Sequence, residues 1–442
     1  MNKWAAKNKV ILLSILLLLF LVGGYWLLNM QKEQTESQLE IEGPPILEKE
    51  SKKSFEFFWD EANTDEGSTG YGLIRDRAPN NPELASIASV GFGLTAITIG
   101  AERNWITKEE AEKRIEGTLD TLLLHAEHEN GVFYHFLNID DATRAGTSEV
   151  SIIDTAILIS GAITAGEYFE GDIKKKAEDI YRRVNWDWYR NPNNNLFYMS
   201  YSPESGFAGA WDFYAEQLMM YFLGAGSPTY PTNPEMFYDF TRQERAYGEG
   251  EPFIHSWFGS IFTHQFSHAW FDFRHYQDRE GINWFENSIK ASKANRDYVM
   301  DQADKFETFG PNAWGLTASD GPNGYNGKYG ASPSGSNNSA HFTDGTIPPA
   351  GAAGSIVFTP EESIAALEHY ETIPELWGDY GFKDAYNLEI SPDWYAQDVI
   401  GIDKGITLLM IENYRTGFVW ENFMKNEFVQ KGIEEIGLEK VE

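Results

Sequence analysis

The sequence predicts an all-α protein: an (α/α)6 toroid or barrel of paired helices with long loops and a few short β-hairpins, preceded by one N-terminal transmembrane or signal helix. Three observations predict it. About a dozen segments carry helical periodicity. Two of them, "IIDTAILISGAITAG" and "FYAEQLMMYFLGAG", are apolar nearly all round, as helices enclosed on every side must be. The connecting loops are long, aromatic and Gly-rich, and loops of that length in a compact domain usually carry function. An irregular helical array is the competing arrangement.

The elements follow in chain order. Lys3, Lys7 and Lys9 precede an apolar run of 19 residues from Val10 to Leu28. That is roughly 28 Å of helix at 1.5 Å per residue, close to the hydrocarbon thickness of a bilayer. No small-x-small cleavage site follows, and Tyr25 and Trp26 suit a membrane interface. Residues 1–30 therefore read as a signal anchor in preference to a cleaved signal peptide. With the lysines inside, the remainder is expected to be extracytoplasmic, membrane-anchored or secreted. Residues 31–50 form an acidic linker, and uniform composition over 51–442 indicates one domain. Helices are expected at 51–62, 83–101, 107–127, 151–169, 172–185, 210–223, 233–243, 284–305, 360–371, 404–414 and 417–435, with another near 258–268. Strand-like pieces lie at 71–75, 131–136 and 195–201.

Composition excludes several functions. The 442 residues carry 35 Lys+Arg against 67 Asp+Glu, a net charge of −32 with no basic stripe, so nucleic acid is a poor partner. Zero cysteines remove disulfides, thiolate nucleophiles and Cys-zinc sites. Neither a GxGxxG after a strand, nor a Walker A loop, nor a GxSxG is present, and no cofactor is expected. The 14 Trp and 22 Tyr suit the flat faces of sugar rings, so a poly- or oligosaccharide is the expected partner.

Glu216 is the sharpest chemical feature. It sits in "AWDFYAEQLMMYFLGAG", too apolar for a surface helix, with Asp212 four residues earlier on the expected helical face. A carboxyl in apolar surroundings beside another carboxyl has its pKa raised, as a general acid requires. Glu149 and Asp154, in "GTSEVSIIDTAILISGAITAG", form a second acidic group, although Ser151 through Asp154 also fits a helix-capping pattern. An acid paired with a nucleophile or water-activating base is what glycoside hydrolysis needs. His264 and His268 stand four apart with Asp272 beyond; hydrogen bonds to sugar hydroxyls or a buried neighbour are preferred to a metal, and no metal is expected. His255, Trp257 and Trp270 nearby, with Trp314, Tyr325 and Tyr329, offer sugar contacts or stacking platforms. Arg75, Asp76 and Arg77 read as surface salt bridges, and the first two are also candidates for substrate contacts. Asp320 and Asp403 are candidates for positioning sugar rings, with a helix N-cap or a place lining the cavity also open for Asp403, and Glu412 and Arg415 for an i,i+3 pair.

Read together, "GLIRDRAP", "SEVSIIDTAILISGAI", "WDFYAEQLMMYFLGAGSPT", "FTHQFSHAWFDFR", "WGLTASDGPNGY", "GTIPPAGAAGSIVFTPEESIAAL" and "IGIDKGITLLMIENYRTGFVW" resemble the glucoamylase-like domain family over roughly 50–430. The resemblance implies an (α/α)6 barrel and chemistry on β-1,2-glucan, as in bacterial endo-β-1,2-glucanases and the transglycosylase-type domain of cyclic β-1,2-glucan synthases. It places Glu216 as the acid within W-x-x-Y-x-E, and Glu149 or Asp154 where the second carboxylate group falls. The expected function is a glycoside hydrolase on a glucan; a transglycosylase and a non-catalytic glycan receptor are the alternatives.

Overall fold

The computed structural model describes residues 43–441, and the apolar run at 10–28 lies outside them. Among the described residues there are twelve α-helices and a set of short two-stranded ladders, so the expected mostly helical fold holds. Helix α1 (Pro45–Asp60) begins before the expected residue 51. Pro45 occupies the first turn, where an absent N–H leaves no bond unmade, and Ile46 and Leu47 are buried. Helix α2 (Ile87–Glu102) follows a short strand, Leu84–Ser86, and is capped by the Ser86 hydroxyl. Helix α3 (Lys108–Leu124) opens on a complete capping box of Thr107 and Glu110, and α4 (Ile152–Phe169) on the Ser151 hydroxyl. Then come α5 (Gly171–Arg183), α6 (Leu218–Gly226), α7 (Trp284–Asp301), α8 (Pro349–Ala353), α9 (Pro360–Glu371), α10 (Gly401–Arg415), α11 (Phe418–Phe423) and α12 (Glu427–Ile436).

The apolar helices are enclosed, as their composition demands. α2 lies against α1, α3, α4 and α10; α4 also touches α5, α6 and α11; α6 packs on α12. The closest approach is glycine-mediated: a Cβ on Gly161 of α4 would overlap the Gly91 carbonyl of α2, so the two backbones meet directly. One hydrophobic core runs from Ile46 in α1 to Leu438 after α12.

Five expectations are corrected. The helix expected over 210–223 starts only at Leu218, because the Gln217 side chain caps the preceding backbone itself: its Oε1 accepts from Ala215 N and its Nε2 donates to the Phe213 carbonyl. The helix at 233–243 reduces to a 3-10 segment, Pro234–Tyr238, and that near 258–268 to two 3-10 turns, Ile261–His264 and Ser267–Ala269. The segment 417–435 divides into α11 and α12, since Asn426 caps a new helix. Glu412 and Arg415 do not pair. Glu412 holds Arg103 at 2.7 Å, and Arg415 reaches Glu48 of α1 at 2.7 Å.

Candidate active site

Glu216 lies in the turn before α6, not inside a helix, so the shared helical face expected for Asp212 and Glu216 does not exist. The turn is held from three sides. Tyr214 N donates to the Thr241 carbonyl, Thr241 N donates to the Asp212 carbonyl, and Ser267 Oγ donates to the Glu216 carbonyl at 2.7 Å. The Glu216 side chain lines a cavity of about 610 Å³ together with Asp212, Trp257, Phe262 and Tyr325. Burial pushes its carboxyl up to about 7, and the negative charge of Asp154 adds to the rise. Glu216 is thus a high-pKa acid through burial and Asp154, while Asp212 is exposed at the cavity edge.

The second acidic group is organised by His135, which no sequence motif singles out. His135 Nδ1 meets Glu149 Oε1 at 2.9 Å, and its Nε2 stands 3.8 Å from Asp154 Oδ1. Burial pushes the imidazole pKa down, but Asp154, Glu149 and Asp76 outweigh it and hold the ring charged to about 9. The hydrogen bond from His135 draws the Glu149 carboxyl below its usual range. Asp154 is buried in the first turn of α4, its own N–H bonded to the Ser151 hydroxyl, so the capping and site roles coexist.

A third group centres on Arg77. Its guanidinium contacts Asp76 at 3.3 Å, Asp320 at 3.1 Å and Asp398 at 3.3 Å, all largely buried. The surface salt-bridge account of this segment fails for Arg77, because strand Arg77–Ala78 pairs with Val399–Ile400 and is drawn inward. Asp320 N donates to Asp384 Oδ2 at 2.6 Å, and the Asp384 carboxyl shares a hydrogen bond with that of Asp403 at the start of α10. Burial raises both carboxyls, Asp403 to about 7; the charge of Asp403 adds to the rise at Asp384, while the hydrogen bond with Asp384 opposes the rise at Asp403. Sequence reasoning missed Asp384 and Asp398 and misplaced Arg77; acids beside buried aromatic or apolar residues, as in "KDAYN" and "QDVIG", are the available signal.

Other candidates are placed elsewhere. Arg75 pairs with Glu61 in a separate groove with Asp60 and Pro82. His268 is enclosed, its Nε2 3.0 Å from Ser288 Oγ and its ring edge-on to Phe273 and Phe358. His264 is packed on Tyr214. Burial pushes both imidazoles down to about 3, so they are neutral core histidines rather than sugar contacts. His255 is buried, with its ring near Phe213. Trp270 donates to Thr95 Oγ1 and Trp314 is fully enclosed; both are core residues. Trp257 and Tyr325 remain, 46% and 51% exposed on the cavity wall.

The described residues thus form a mostly helical domain with a raised-pKa carboxyl on a cavity and a second acidic residue, Asp154, within its electrostatic reach. Residues 209–427 match the family model described as "Putative glucoamylase", the family that the sequence motifs resemble. It is 29% identical over 437 residues to an exo beta-1,2-glucooligosaccharide sophorohydrolase (non-reducing end) of Parabacteroides distasonis. That match covers 88% of this chain, which spans only 57% of the length of that relative. Among solved structures, one from Bacteroides uniformis with the same family description is 29% identical, with TM-score 0.79 over 89% of this chain and 97% of that one. The endo-beta-1,2-glucanase of Chitinophaga pinensis, in complex with sophorotriose and glucose, is 26% identical, with TM-score 0.80 over 89% and 98%.

Proposed function

We propose that the chain is an extracytoplasmic glycoside hydrolase, built on an (α/α)6 toroid, that cleaves a β-1,2-linked glucan or its oligosaccharides. The observation that carries this reading is Glu216, a carboxyl on a cavity wall that burial keeps protonated to about pH 7. Such a group can give its proton to a glycosidic oxygen as the bond to the anomeric carbon breaks. Of the two acids left open by the sequence, Asp154 is favoured as its partner, because its charge is felt at Glu216 while Glu149 is engaged by His135. Asp154 then takes a proton from the attacking water or itself attacks the anomeric carbon. Trp257 and Tyr325 supply apolar faces for the sugar rings. The substrate class is supported by the two relatives that act on β-1,2-linked glucose.

The N-terminal apolar run is read as a signal anchor that tethers the domain outside the membrane, on the strength of its length and the preceding lysines. The test is incubation of the purified protein with a panel of linkage-defined glucans. Shortened products from β-1,2-glucan alone are expected, with product size deciding endo or exo action and anomer deciding inversion or retention. Products longer than the substrate indicate a transglycosylase. Binding without turnover, unchanged by Glu216→Gln, indicates a glycan receptor and overturns the reading.

A further inference from the structure

His135 has a placement that packing alone does not require. Its backbone N–H donates to the Glu149 carbonyl at 2.8 Å, and its own carbonyl accepts from Ile87 N at the start of α2. The ring stacks on Phe136 with centroids 3.8 Å apart. The imidazole is thereby fixed at the N-terminal ends of α2 and α4, with one nitrogen turned to Glu149 and the other to Asp154. Three carboxylates bear on it: Asp154 from α4, Glu149 from the segment before α4, and Asp76 from the segment leading to Arg77–Ala78. Asp76 already has Arg77 as a partner, whereas Glu149 and Asp154 share the imidazole.

Resting on the hydrolase reading, we propose that His135 is a positioning residue of the site, a cationic clamp that anchors on Glu149 and holds the Asp154 carboxylate in place for its work with Glu216. Glu149 is then the support of the clamp rather than the second catalytic carboxylate. The ring keeps its charge to about pH 9, well above the point at which Glu216 loses its proton, so the two losses are separable. Below about pH 7 both groups carry the proton the reaction needs. Above it kcat/KM falls about tenfold per pH unit as Glu216 ionises, and beyond about pH 9 the fall steepens to about a hundredfold per unit as the clamp also discharges.

The experiment is the pH profile of kcat and KM on a β-1,2-linked oligosaccharide for the full chain and its His135→Gln variant. The variant is expected to lose on the order of 10²-fold in kcat, the cost of a misplaced group, with KM nearly unchanged. Its alkaline limb stays at about tenfold per unit. A variant whose kcat and alkaline limb superimpose on the wild type overturns the proposal. An NMR titration of the unliganded wild-type protein is an independent test, and it serves even where the variant does not fold. The His135 ring is expected to titrate near 9 and to move down in Glu149→Gln; a ring that titrates below 6.5 overturns the clamp. If the wild type cleaves no glucan, the hydrolase reading fails on that result, and the titration still decides whether the clamp exists.

Discussion

Arg77 Nη1 donates to both carboxylate oxygens of Asp320, at 3.2 and 3.1 Å, across 243 positions of sequence. The same guanidinium holds Asp76 and Asp398, so one cation ties the segment before α2 to the long loop before α8 and to the strand that enters α10. Removing one partner from a buried ionic cluster leaves uncompensated charge, at a cost of about 3–5 kcal/mol. Arg77→Met is expected to lower the urea midpoint by a corresponding amount with the m-value unchanged. Arg77→Lys keeps the charge but not the planar fork, and should fall between wild type and Arg77→Met. A midpoint for Arg77→Met equal to that of the wild type would show that solvent, not Arg77, balances these acids.

The pH dependence of stability follows from raised carboxyls, among them Glu216, Asp384 and Asp403. Burial lifts Glu216 and Asp403 to about 7, and lifts Asp384 as well, aided by the charge of Asp403. A carboxyl whose folded pKa exceeds its unfolded value binds more protons in the native state. Its contribution is complete below about pH 4 and is lost as pH rises through its folded pKa. Melting temperature is expected to decline between about pH 4.5 and 7 by more than in Asp403→Asn, whose profile should be flatter. His135 acts in a higher window: its contribution is lost as pH rises from about 6.5 to about 9. Identical profiles for wild type and Asp403→Asn would show that Asp403 is solvated.

How much of this was legible in the sequence depends on the range of the interactions. Helix α9 matches its expected limits because Pro360 and two following acids mark its start locally. Glu216 was legible because a charge inside an apolar run is a local anomaly. Its helical setting was misjudged because one side chain, Gln217, satisfies the backbone that a helix otherwise would. The roles of His135 and Arg77 were not legible. Their partners arrive through the bridge of Tyr134 to Val150 and the pairing of Arg77 with Ile400, and no periodicity reports such register. The same holds for His264 and His268, which fall in two 3-10 turns and not in the helix expected near 258–268.

The exposed aromatics predict a division between binding and turnover. Trp257 stands edge-on to Phe213 at 5.4 Å, which fixes its plane on the cavity wall beside Glu216. A packed aromatic face contributes about 0.5–1.5 kcal/mol beyond its area. Trp257→Ala is therefore expected to raise KM for a β-1,2-linked oligosaccharide by roughly two- to tenfold, with kcat less affected. Tyr325→Ala should behave alike. A loss confined to kcat would place Trp257 at the reacting bond instead of along the sugar chain.

Glu50 and Lys404 form the most deeply enclosed ion pair among the described residues, 2.6 Å apart with side chains 1% and 4% exposed. Burial raises the Glu50 carboxyl, and Lys404, the Phe382 N–H and the Ser54 hydroxyl oppose that rise. Lys404 adjoins Asp403 in sequence and lowers its pKa through charge. Lys404→Met therefore has two effects: Glu50 is left without its cation, at about 3–5 kcal/mol, and Asp403 holds its proton to higher pH. The double variant Glu50→Gln, Lys404→Met removes both charges and should recover most of the lost stability, since a neutral buried pair carries no unpaired ion. Denaturant midpoints over the four proteins of this cycle measure the coupling, and a double variant no more stable than Lys404→Met would show that Glu50 is not the group left unsatisfied.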